Sequence, residues 1–96
     1  MTLLSDAQID EGLAAAVGWD RGEPGSIEKE WKFADFAEAI RFVDRVAEIA
    51  EAANHHPDIL LHGWNKVRLT LSTHSVGGLT QADLDMARTL DGVPAG

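Results

Sequence analysis

The sequence predicts an α+β domain of two layers, with three one-sided helices over one antiparallel sheet. Two patterns in its 96 residues lead there. Ile27–Phe33 and Val67–Thr73 alternate apolar and polar residues with a period of two, which describes strands with one wet face. Three other segments begin at capping residues and place apolar side chains at helical spacing. Along the chain the order is helix, hairpin, helix, hairpin, helix, and elements of these kinds bury their apolar faces against each other.

The first helix is expected over residues 5–17. Ser5-Asp6-Ala7-Gln8 has the form of a capping box, and Leu4 and Ile9 are placed as a hydrophobic staple. Ile9, Leu13, Ala16 and Val17 then share a face until Gly18 stops the run. The following stretch to Ser26 is rich in turn residues, and Trp19 begins a short strand that pairs with the next across Gly22-Glu23-Pro24-Gly25. In that next strand Ile27, Trp31 and Phe33 face the core while Glu28, Glu30 and Lys32 face water.

Residues 35–53 make the strongest helix, with Asp35 as its N-cap. Phe36, Ile40, Val43, Ala47 and Ala50 line one stripe, and Phe42, Val46, Ile49 and Ala53 line a second beside it. Together they cover roughly half the circumference, where a surface helix normally needs a stripe of about 100°. Two arrangements fit: a helix set deep in its own sheet, or one stripe on the sheet and the other on another subunit. Under the second, charge on the outer stripe, for example Val46→Glu, is expected to reduce the size of the oligomer.

Pro57 ends that helical region, Ile59-Leu60-Leu61 reads as a strand, and Trp64-Asn65-Lys66 as a turn. Val67, Leu69 and Leu71 of the following strand face the core. After the Gly77-Gly78 loop, Thr80 caps a third helix with Asp83 three residues on, Leu79 and Leu84 staple it, and Gly92 stops it. Leu84, Ala87 and Leu90 supply its buried stripe.

The length suits one domain over residues 1–96, with no internal repeat or linker. A chain this short buries roughly 60–65% of its unfolded surface, a narrow margin that favours a homo-oligomer. Sixteen acidic against eight basic residues give a formal charge of −8, and without a basic run direct nucleic-acid binding is not expected. No apolar stretch approaches the ~20 residues needed to span a bilayer. The first residues lack the basic start and apolar core of a signal peptide, and there is no cysteine, which together point to the cytoplasm.

The four histidines, His55, His56, His62 and His74, all fall within a stretch of 20 residues. His55 and His56 precede Pro57 and His74 follows a strand, places where regular structure gives out and function often sits. Imidazole donates or accepts a proton near neutral pH, so a cluster of them in a cleft suits general acid–base work. A lone histidine at an element end is more often a satisfied polar group, and sequence spacing does not bring the pair to His74. Zinc is the rival, but there is no cysteine, no His-x-His and no HExxH, so no metal is expected. Ser72, Ser75, His74 and Asp83 could be drawn into a Ser–His–Asp arrangement, yet no nucleophile elbow supports one. Gly77-Gly78 is no phosphate loop, and the acidic pair Asp83 and Asp85 reads as helix-start charge. His62 reads as a surface residue, while Trp19 lies outside any apolar pattern and is free to face a flat ligand.

Asn54-His55-His56-Pro57-Asp58, then Trp64-Asn65-Lys66-Val67, then Leu71-Ser72-Thr73-His74-Ser75-Val76-Gly77-Gly78-Leu79-Thr80, is a series that resembles the small bacterial form of the pterin-4-alpha-carbinolamine dehydratase family. The resemblance runs from Leu4 to Asp91 and includes Val17-Gly18-Trp19 and Phe33-Ala34-Asp35-Phe36. It implies three helices on one face of a four-stranded antiparallel sheet. It also implies dehydration of 4a-hydroxytetrahydropterin to quinonoid dihydropterin and water, in tetrahydrobiopterin-type recycling, without metal or organic cofactor. By motif position the acid–base set is His55, His56 and His74, with His56 as the base for the ring proton and the other two assisting departure of the hydroxyl. Asn54, His55, His56, Ser72, Thr73, His74 and Ser75 match the pterin-binding segments, and Trp19 and Asp83 match a cleft aromatic and a helix-borne acid. Asn54 stands where vertebrate members have Asp, which removes a carboxylate that could orient a histidine. The implied partners are a pterin and a second copy, as a homodimer or homotetramer through residues 36–53, with no membrane. The same resemblance allows a non-catalytic reading, since vertebrate members also act as coactivators and some bacterial relatives assist Rubisco assembly. A pure scaffold has no need of the three histidines.

Overall fold

In the computed structural model, which describes residues 2–93, each helix starts at the cap its sequence prescribes. For α1 (Asp6–Ala15), the Ser5 hydroxyl accepts from Gln8 N–H at 3.2 Å and Gln8 Oε1 accepts from Ser5 N–H at 2.8 Å. The helix ends two residues before the expected point, so Val17 leaves the buried face and is 79% exposed, while Ile9 and Ala16 stay in the core. Asp35 caps α2 (Phe36–Ala53) by accepting from Glu38 N–H at 2.8 Å. In α3 (Gln81–Asp91) Asp83 reaches back to accept from Thr80 N–H at 2.9 Å.

Four strands, β1 (Asp20–Arg21), β2 (Ile27–Lys32), β3 (Asp58–His62) and β4 (Lys66–Leu71), form one antiparallel sheet in the order β1-β2-β4-β3. The central pairing joins the two hairpins, with Ile27 opposite Leu71, Lys29 opposite Leu69 and Trp31 opposite Val67. Strand side chains alternate faces, so these residues share the helix-facing side with Ile59 and Leu61 of β3. Ile27, Val67, Leu69 and Leu71 are fully buried there, each worth roughly 1.5–3 kcal/mol of apolar burial. The opposite face carries Glu28, Glu30, Lys32, Arg68 and Lys66, and on it Glu30 meets His62 Nε2 at 2.5 Å and Arg68 at 3.5 Å. The His62 hydrogen bond holds the Glu30 carboxyl below the usual carboxylate range.

The buried line of α2 draws on both expected stripes and on Ala39, which belonged to neither. Ala39, Phe42, Val46 and Ala50 are buried against the sheet, and the Phe42 ring lies 5.0 Å from both Trp31 and Phe33. Phe36 and Ile40 point away from it, 53% and 39% exposed. Val46 is therefore an inner residue, not the outer-stripe residue expected from sequence, and Ala53 is exposed. Trp19 is 3% exposed, edge-on to Trp31 at 5.7 Å, with its indole N–H donating to Asp91 Oδ1 at 3.0 Å. Lys29 Nζ completes that corner, donating to Asp91 at 2.8 Å and to Val17 O at 3.0 Å. Apolar area and an anchored indole decide its place, although no periodic pattern marks it. Among the described residues no helix is long and apolar enough to cross a membrane.

Candidate functional site

Helix α2 ends at Asn54, whose backbone is left-handed (φ 50°, ψ 42°). Asn is among the few side chains that tolerate this conformation. The reversal sends the chain into His55-His56-Pro57 and toward the start of α3. His55 is held there: its Nε2 lies 2.6 Å from Oδ1 of Asp83, with the imidazole 15% exposed and the carboxylate wholly buried.

Asp83 is held just as firmly. Its Oδ2 accepts from Thr73 Oγ1 at 2.8 Å and from Thr80 N–H at 2.9 Å, and the two threonine hydroxyls are 2.9 Å apart. A carboxylate receiving donors on both oxygens acts as an acceptor throughout, so His55 Nε2 carries the hydrogen and Nδ1 is left to take or give a proton. Three segments thus meet on one buried side chain: the α2–β3 connection, the chain leaving β4, and the first turn of α3.

Asp83 and Thr73, expected among the substrate-binding groups, are 0% and 5% exposed, with their polar atoms engaged with each other beneath His55. The remaining expected residues lie nearer the surface. His56 is more than half exposed, 3.7 Å from Glu51, an exposed pair of little energetic weight. Thr73 leads directly into His74 and Ser75, both exposed in a 3-10 turn (His74–Val76), and Ser72 is half-buried. Among the described residues no hydrogen bond joins the imidazoles of His55, His56 and His74; the Asp83–Thr73 link ties the segment of His55 to the strand end that leads into His74. His62 sits apart, on the wet face of the sheet with Glu30.

Beside His55 a cleft of about 210 Å³ opens between α2 and α3, lined also by Ile49, Ala53, Ala82, Asp85, Met86 and Thr89. Sequence reading passed over these residues or gave them other duties, Asp85 as a helix-start charge. The available signal was their spacing: Ile49 with Ala53, and Asp85 with Thr89, are four apart on their helices, which puts each pair on one face. No group of three or more His, Asp or Glu residues among those described could hold a metal ion.

Comparison with known proteins adds the family. The model of the family "Pterin 4 alpha carbinolamine dehydratase" matches residues 2–93. A protein of Roseiflexus sp. (strain RS-1) is 50% identical over 94% of this chain and 95% of its own. A protein of Mycobacterium avium (strain 104) is 46% identical over 97% of each chain. Both carry the provisional name of pterin-4-alpha-carbinolamine dehydratase. Among solved structures, a transcriptional coactivator/pterin dehydratase from Brucella melitensis superposes with a TM-score of 0.91 at 35% identity, covering 99% of this chain and all of that one. A pterin dehydratase-like protein described as a RuBisCO assembly factor in the alpha-carboxysome superposes at 0.64 with 26% identity, over 77% of this chain and 86% of that one. With a match along almost its whole length and the same α+β fold, the chain belongs to the pterin-4-alpha-carbinolamine dehydratase family.

Proposed function

We propose that this chain dehydrates a 4a-hydroxytetrahydropterin to the quinonoid dihydropterin and water, in tetrahydrobiopterin-type cofactor recycling, with His55, His56 and His74 as the acid–base set. The reaction removes a proton from a ring nitrogen, forms the C=N bond with the nitrogen's electron pair, and breaks the neighbouring C–O bond as the hydroxyl leaves with an added proton. One group must take a proton and another give one. His56, exposed and next in sequence to His55, is the base for the ring proton; His55 and His74 assist the hydroxyl. Asn54, Ser72 and Ser75 supply polar contacts around the ring.

The observation that carries this reading is the 2.6 Å contact between His55 Nε2 and the fully buried Asp83 carboxylate. A structural histidine has no need of a buried carboxylate fixed by two further donors. A general acid–base histidine gains from it, because one nitrogen is fixed as donor and the other is kept for proton transfer.

The exposed Phe36 and Ile40 of α2 favour a further element of the reading, self-association through that face as a dimer or tetramer. They also suit a second reading, a non-catalytic assembly module, in keeping with the coactivator and assembly-factor descriptions of the two solved relatives. A dehydration assay on carbinolamine generated in situ separates the two. Wild type accelerating the decay, and the triple His55/His56/His74→Ala variant not doing so, is the expected result. Decay at the spontaneous rate with wild type would refute the enzyme reading and leave the assembly reading.

A further inference from the structure

We infer that the tip of the β1–β2 hairpin buttresses the turn that carries His74, with Gly25 as a positioning residue for that imidazole; this rests on the reading of His74 as one of the acid–base set. The two outer segments of the site are held by different means. His55 is fixed through its side chain by Asp83. His74 has no side-chain hydrogen bond among the described residues, so backbone alone sets where its ring begins.

That backbone is a short closed turn. Thr73 N–H donates to Gly78 O at 2.8 Å, Gly78 N–H returns to Thr73 O at 3.4 Å, and Gly77 N–H closes on His74 O at 3.2 Å. Against it stands Gly25, at φ +84°, from the hairpin tip. A Cβ on Gly25 would lie 3.1 Å from Gly77 O and 3.2 Å from Gly78 Cα, backbone atoms that cannot rotate aside as a side chain would. Glycine at these facing positions lets two backbones touch.

Neither side of the contact is loose. At the tip, Ser26 N–H and Ser26 Oγ both donate to Glu23 O, at 3.0 and 2.8 Å, and Gly22 N–H donates to Ser26 O at 3.2 Å. Gly78 also packs on the N-terminal segment: a Cβ there would lie 2.8 Å from Leu3 Cδ2, and Leu4 N–H donates to Leu79 O at 2.9 Å. The His74 turn is bracketed by the hairpin tip and Leu3, and a shift of either passes to the imidazole.

Gly25→Ala tests this. Misplacing a reacting group by about 1 Å costs about 100-fold, so a retreat of about 0.3 Å, enough to restore ordinary contact, should lower kcat about fourfold with KM little changed. The same substitution in a His74→Ala background should add no further loss. Leu3→Ala, at a half-exposed position, removes the second contact without adding volume. It should lower kcat about two- to threefold, again only when His74 is present, and it keeps the test open if Gly25→Ala does not fold. Independently of activity, the His74 ring proton resonance should move in both variants while those of His55 and His62 stay. An unmoved His74 resonance, or an equal fall in kcat with and without His74, overturns the buttress. A wild type without dehydratase activity whose His74 resonance still responds overturns the catalytic reading and upholds the buttress.

Discussion

Replacing Asp83 with asparagine keeps the shape of the side chain and reverses its polarity toward His55. Oδ2 of Asp83 now takes two donors, Thr73 Oγ1 and Thr80 N–H, so an amide placed there would put its oxygen on that side. Its NH₂ would then face His55 Nε2, which must give up its hydrogen and accept, moving the neutral ring's proton to Nδ1. Bonds to a charged acceptor are worth about 1.5–3 kcal/mol and neutral ones about 1 kcal/mol. With three such bonds weakened or inverted, and part of the loss returned by removing a buried charge, the net destabilisation is about 2 kcal/mol. For a domain of this length that lowers Tm by about 8–16 °C. The effect on turnover is larger in proportion. With the wrong tautomer His55 drops out of proton transfer, and kcat falls about 100-fold, at the lower end of what general acid–base groups contribute. Stopped-flow dehydration assays well below the variant's Tm give kcat, and long-range ¹⁵N–¹H correlation spectra give the tautomer. A variant that keeps Nε2 protonated and turns over within about threefold of wild type would show that the Asp83 contact is only structural.

Two other perturbations read separate parts of the molecule. Ile40→Glu, on the outward stripe of α2, should convert an oligomeric wild type to a smaller species by sedimentation velocity without loss of helix signal, and a monomeric wild type would refute self-association through that face. On the opposite side of the sheet, Glu30 has its pKa lowered chiefly by the His62 hydrogen bond. A lowered folded-state pKa means a stabilisation present above the unfolded carboxyl pKa and lost as pH falls through the folded one. His62→Ala should therefore move the Glu30 titration, followed by carboxyl ¹³C shifts, upward toward the ordinary range and flatten the acid limb of the stability curve; an unchanged midpoint would refute the pairing.

Local signals made most of the fold legible. Capping boxes at Ser5/Gln8 and Thr80/Asp83, the Asp35 cap and the alternation in β2 and β4 are short-range rules, and the elements begin where those rules put them. The pairing of β2 with β4, rather than some other joining of the two hairpins, depends on distant contacts that no local pattern writes. The wide apolar arc of α2 is legible, but which line within it meets the sheet is not, since Phe36 and Val46 are both apolar and the buried line takes Ala50 from one expected stripe and Val46 from the other. Asp83 shows the limit most clearly. Its role as a cap was legible because Thr80 is three residues away, while its second oxygen is used by a histidine 28 residues away. The packing of Trp19 is hidden for the same reason: an indole in a connection has no period, and its partner Asp91 lies 72 positions on.

The lock on His55 has a bearing on how the folded chain breathes. Its imidazole is mostly covered and one nitrogen is occupied, whereas His56 and the His74 turn stand in solvent. An acylating reagent added to the folded protein therefore meets His56 and His74 directly, while His55 offers it only Nδ1, by way of the cleft between α2 and α3. The lag between the fast and the slow histidines then measures how far the cleft screens Nδ1, and a variant that loosens the first turn of α3 from His55 should shorten it.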